Sequence, residues 1–163
     1  MRQTTVAENQ AQLDIVYRKT VIIFLVLLAS LLIYAGLGLF LIEPPGQADV
    51  PSKARVPVYV AAIFLGLGAI AIRRRMFREM KLQTVIAEGG VKAILEHLFR
   101  ISVICAALGE SIGVLGLVLG IMSGERTDTI RLVVVGLLVI IFSFPRYNAW
   151  QGLIQYAESI GLH

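Results

Sequence analysis

Glu110 is the residue of this sequence with the most chemistry to offer. It sits near the middle of Ile101–Met122, ISVICAALGESIGVLGLVLGIM, a run apolar enough to cross a bilayer. A carboxyl at that depth is costly and needs a hydrogen-bonding partner or a proton. Such an acid either carries a proton or cation, or locks neighbouring helices together by hydrogen bonding. Little else in the chain is equipped for catalysis. The one cysteine, Cys105, lies in the same apolar run, so no intramolecular disulfide is expected. The histidines, His97 and His163, form no cluster with metal-ligand spacing. P-loop, GxSxG and HExxH motifs are absent from the sequence. The expectation is a protein that is not an enzyme and holds no cofactor or metal.

The residues around Glu110 suggest what it faces. On a helical wheel of about 100° per residue, Ser102, Ala106, Gly113, Gly116 and Gly120 fall within about 60° of Gly109. Ala106, Gly109, Gly113, Gly116 and Gly120 thus form a small-residue seam that lets two helix backbones come close. Glu110 flanks this seam and should face a neighbouring helix rather than lipid. Depth then points to partners. Glu110 is nine residues into its span, and Ser30 is ten residues into the span that begins at Thr20. Tyr34 lies one turn deeper, and a helical side chain leans back toward its own amino terminus. A Glu110–Tyr34 or Glu110–Ser30 hydrogen bond is therefore expected, within or between chains. These three residues are the buried acid and possible ion site.

The elements that must position them are membrane spans. The chain has 163 residues, 57% of them hydrophobic, and a mean hydropathy of +0.80. Soluble domains average about 45–50% apolar residues. An all-α integral membrane fold is expected, a single membrane domain over 1–163. Its four transmembrane helices cover about 20–42, 57–72, 101–122 and 130–144, arranged as two hairpins. The opening segment has no signal-peptide pattern and should lie on the membrane surface or extend the first span. Pro44 and Pro45 stop that span, and the loop Glu43–Val56 should be exposed. Gly66 and Gly68 should allow a neighbour close to the second span.

Residues 73–100 form a basic connection, with apolar positions at roughly helical spacing and a break at Gly89-Gly90. Interfacial amphipathic helices are expected there and again at the carboxyl terminus, over 148–160. Arg73, Arg74, Arg75 and Trp150 suit the membrane interface. Next to a membrane span the arginine run reads as headgroup contact, not as a nucleic-acid surface. Lys and Arg also set the orientation. Eleven fall on the side of both termini and the 73–100 connection, and four, Lys53, Arg55, Arg126 and Arg131, on the other. The positive-inside rule puts both termini in the cytoplasm of a multi-pass cell (inner) membrane protein.

Residues 107–124, ALGESIGVLGLVLGIMSG, resemble the acid-bearing helix of the proteolipid ring subunits of rotary ATP synthases. The resemblance implies that Glu110 matches the ion-carrying acid, with Gly116-Leu117-Val118 matching the segment that follows. It covers about one span. A second likeness extends over most of the chain. The runs at 13–30, 107–120 and 144–150 resemble a group of small bacterial four-span membrane proteins of unknown function. The sequence thus supports two readings. One is a non-catalytic integral-membrane subunit or accessory protein that packs through its glycine seam, in a homo-oligomer or a larger membrane complex. The other is proteolipid-like proton or cation handling through Glu110.

Overall fold

The computed structural model describes the backbone of residues 2–42, 52–76 and 79–160, and the side chains of 8–42, 55–75 and 90–157. Among the described residues all regular secondary structure is helical. Helix α1 is Arg2–Leu41, α2 is Ser52–Met76, α3 is Glu79–Ser123, α4 is Arg126–Ser143 and α5 is Tyr147–Ile160. Most of the expected loop 43–56, the side chains of Thr4, Thr5, Phe77, Met80 and Val85, and His163 lie outside the described residues.

Four helices are long and apolar enough to cross a membrane. Their apolar residues are not confined to one stripe. Ile22, Val26, Ile33 and Phe40 of α1, Ile63 and Phe64 of α2, and Leu138 and Phe142 of α4 all point away from the protein. Helices that are apolar all round belong in lipid. The architecture is that of a multi-pass membrane protein.

Two helices are far longer than a bilayer needs. At 1.5 Å per residue, α1 is about 60 Å and α3 about 68 Å long, against a hydrocarbon core of about 30 Å. The amino-terminal segment therefore extends the first span as one helix. The 79–100 segment likewise runs into the third span without a gap. Gly90 has φ +62°, a left-handed value that other residues rarely adopt. At this position the double glycine alters the backbone course locally and does not end the helix.

Helices α3 and α4 form the central pair, joined by a tight turn in which Gly124 has φ +65°. That conformation suits a glycine just past a helix end. Both α1 and α2 pack against α3 and α4, but among the described residues they do not pack against each other. The first two spans are thus neighbours in sequence without forming a packed hairpin. The reason is that α3 and α4 offer each flanking helix its own groove. Leu31 of α1 packs with Ala106, Val133 and Ile140. Ala62 of α2 packs with Ile112, Leu119 and Leu132.

Helix α5 folds back at Pro145 onto the extended parts of α1 and α3. Trp150, Ile154 and Ala157 pack against Leu13, Ile94, Leu95 and Leu98. The ring of Tyr17 lies edge-on to Tyr147 at 5.2 Å and to Trp150 at 5.9 Å. The α5 segment is amphipathic, as its sequence suggests, but its apolar face is covered by protein. Trp150 is 2% exposed and so is not an indole offered to headgroups. The long α1 and α3 helices supply the walls that bury it.

Candidate functional site: two acids between helices

The seam on α3 sets the distance at which side chains meet. A Cβ on Gly109 would sit 3.0 Å from the carbonyl oxygen of Gly136 on α4. A Cβ on Gly116 would sit 2.7 Å from Leu132 Cβ. Added carbons at Gly113 and Gly120 would collide with Leu31 and with Thr129. Ala106 is fully buried in the same interface. Thr129 is itself fully buried, close to Gly38 of α1 as well as Gly116 and Gly120, and its hydroxyl donates to the Gly116 carbonyl at 3.1 Å. The seam is thus filled within the chain by α4 and α1. Gly136, the seam's partner on α4, was not singled out from the sequence. A single glycine in an otherwise bulky span was the available signal. On α2, Gly66 meets Val139 and Ile112 at ordinary van der Waals distance, whereas Gly68 meets nothing within 4 Å.

This packing brings α1 against Glu110. Ser30 Oγ donates to Glu110 Oε1 at 2.6 Å, and Tyr34 OH donates to the same oxygen at 3.2 Å. Ser30 and Tyr34 are one turn apart and share a face of α1, as two donors to one oxygen must. Leu31, between them in sequence, fills the space beside Gly113. Ser30 Oγ also lies 2.8 Å from the carbonyl of Leu27. One hydroxyl proton therefore has two acceptors in reach. Glu110 is partly buried, in a crevice and not on the open lipid face.

A second acid lies toward the other end of the bundle. Asp128 is 2% exposed. It accepts from Tyr59 OH at 2.7 Å through Oδ1 and from Ser123 Oγ at 3.3 Å through Oδ2. Arg55 Nε is 3.7 Å from Oδ2, an ion pair too long for a hydrogen bond, while Arg55 Nη2 donates to Glu125 Oε1 at 2.7 Å. Asp128 occupies the first turn of α4, where the helix dipole favours a negative charge. Beside it, Arg126 Nε donates at 2.6 Å to the carbonyl of Ile42, just past the end of α1. All four membrane helices are tied together here. In the sequence Arg55 reads only as a cation on the side away from the termini. The overlooked signal was spacing: Arg55 and Tyr59 sit one turn apart on α2, and Glu125 and Asp128 one turn apart at the start of α4.

The remaining interface residues end α2. Arg73, Arg74 and Arg75 form its last turn, where cations complement the dipole. Arg74 and Arg75 are exposed, and Arg73 is partly buried with its guanidinium 5.0 Å from the Phe142 ring centre. Cys105 is buried with its thiol 3.5 Å from the Ala69 carbonyl. Chemically, both acids are acceptors held by hydroxyl groups, with an arginine at one of them. Among the described residues no group of three His, Cys, Asp or Glu side chains could hold a metal ion. Compared with protein-family models, with curated proteins and with solved structures, the chain matches none.

Proposed function

We propose that this chain is a non-catalytic integral-membrane subunit or accessory protein in which Glu110 is a helix-packing acid. The observation that carries the reading is the convergence of Ser30 and Tyr34 on one oxygen of Glu110. That geometry joins α1 to α3 beside a seam whose glycines already bring the backbones together. The seam is occupied within the chain, so a second copy or a larger complex must bind through the outer faces of the helices, where α3 too exposes Ile104, Val114, Val118 and Ile121. Both termini lie in the cytoplasm of the inner membrane in this reading, supported by the eleven-to-four distribution of Lys and Arg. The start of α3, with Lys81, Lys92 and Arg100 against Glu79, Glu88 and Glu96, then extends from the third span on the cytoplasmic side. Copurification of tagged protein from native membranes tests the proposal. A stoichiometric membrane partner or a discrete oligomer is expected. A strictly monomeric protein that copurifies with nothing counts against it.

A second reading, proton or cation handling through Glu110, is favoured by one specific observation. Ser30 can direct its proton either to Leu27 or to Glu110, so the hydroxyl can serve the acid in both protonation states. A hydrophobic carbodiimide, which modifies protonated membrane carboxyls, provides its test. Labelling of Glu110 and loss of ion flux in Glu110→Gln liposomes support this reading. An unlabelled Glu110 together with unchanged flux removes it.

A further inference from the structure

Arg73 differs from its neighbours in the arginine run. Its Nη1 is shut off from solvent and, among the described residues, has no hydrogen-bond partner. Nor does any described carboxylate pair with Arg73 or with Arg146. Both arginines nevertheless line the same two hollows. The inner one is a cavity of about 50 Å³ that also touches Ser102, Cys105, Ser143 and Trp150. The outer one is an open groove of about 800 Å³ that adds Arg74 and is walled by Ile70, Phe142 and Phe144. Two unneutralised cations facing one cavity repel each other, and an anion between them relieves that repulsion.

The groove does not end at the arginines. It continues along α2 and α4 as a cleft of about 370 Å³, sharing Ile70, Ile141 and Phe142 and lined further by Val135, Leu138 and Val139. That part is almost wholly apolar. A basic mouth opening onto an apolar channel, on a surface that faces lipid, matches the two halves of one amphiphile.

We propose that Arg73 and Arg146 form the headgroup site for one anionic phospholipid, with an acyl chain in the α2–α4 cleft. The phosphodiester bridges the two guanidinium groups, and Arg74 closes the mouth. Guanidinium suits this role because its planar donors bind phosphate oxygens in pairs. A free phosphate has the same headgroup chemistry but no use for the apolar cleft. This separates a lipid from a soluble anion.

Native mass spectrometry of the full chain tests the site, with phosphatidylglycerol, phosphatidylcholine of the same acyl chains, or inorganic phosphate. Phosphatidylglycerol should be retained in a discrete adduct, and phosphatidylcholine and phosphate should not. Arg73→Gln and Arg146→Gln should each weaken phosphatidylglycerol binding about fivefold. Arg100→Gln, at an exposed arginine beside Glu96, should leave it unchanged. Leu138→Trp, which fills the cleft from an exposed position, should weaken it while both arginines stay in place. Should the arginine variants fail to fold, the wild-type chain alone decides the question, because phosphatidylglycerol should raise its melting temperature and phosphatidylcholine should not. Equal retention or equal stabilisation by the two lipids overturns the proposal. So does unaltered binding in the arginine variants, or an equal response to inorganic phosphate.

Discussion

Glu110 and Asp128 are both enclosed acids, yet they are held differently, and their variants should behave differently. Glu110 takes hydroxyl donors from a single helix, Ser30 and Tyr34 of α1. Hydrogen bonds between membrane helices average about 0.6 kcal/mol, with a maximum of about 1.7. Tyr34→Phe should therefore cost about 0.5 kcal/mol, and Ser30→Ala somewhat more because its bond is shorter. A double-mutant cycle of either with Glu110→Ala should give a nonzero coupling. Asp128 draws on Tyr59, Ser123 and Arg55, from two other helices. Asp128→Ala should cost about 2 kcal/mol, the scale for stranding buried donors. Arg55→Gln should cost less, because its hydrogen-bonded partner Glu125 is 41% exposed and exposed ion pairs contribute about 0–1 kcal/mol. Unfolding titrations of the two variants in detergent would read the difference directly. Of the two acids only Glu110 was legible as a site. Its depth in an uncharged run and the backward lean of helical side chains were enough to find Ser30 and Tyr34. Asp128 was not, because its partners depend on the relative register of α2 and α4, which neither segment encodes alone.

Among the helices, the glycines divide by what surrounds them. Gly136 faces the Gly109 backbone, where no side chain fits without separating α3 from α4. Gly136→Leu should destabilise the chain by about 1–3 kcal/mol, the usual range for overpacking, or more. Gly68 meets nothing within 4 Å, so Gly68→Ala should be neutral or should stabilise α2 by up to about 1 kcal/mol. Melting temperatures of the two variants, measured side by side, separate a seam glycine from an incidental one. Wheel geometry made the seam on α3 visible in the sequence, but not its occupant, since a small-residue stripe is equally suited to a neighbour in the same chain or in another. Helix α5 poses a related ambiguity. Its amphipathic pattern indicates that Trp150, Ile154 and Ala157 need cover, without distinguishing lipid from protein. The structure covers them with α1 and α3. Trp150→Ala should thus cost about 3–5 kcal/mol and expose α5 to proteolysis. An indole resting in headgroups would show neither effect.

The whole chain is a central α3–α4 pair flanked by α1 and α2, with a polar tie near one end and a protein-covered cluster beyond the other. Hydropathy alone indicated four helices long and apolar enough to cross a membrane. It left open whether the amino-terminal segment extends the first span, and did not reveal that 79–100 joins the third as one helix, because the flanking residues are too polar to register as spans and are helical nonetheless. Nor did chain order reveal that α1 and α2 avoid each other, since adjacency in sequence says nothing about which groove each helix fills. What unites the arrangement is the claim that Glu110 acts by hydrogen bonding across helices. The most direct measurement is the unfolding free energy of Glu110→Gln beside Glu110→Ala in lipid bicelles. Glutamine still presents an oxygen to Ser30 and Tyr34, so it should unfold within about 0.5 kcal/mol of the wild type, whereas alanine should lose about 1–2 kcal/mol. An alanine variant as stable as the wild type would contradict the account.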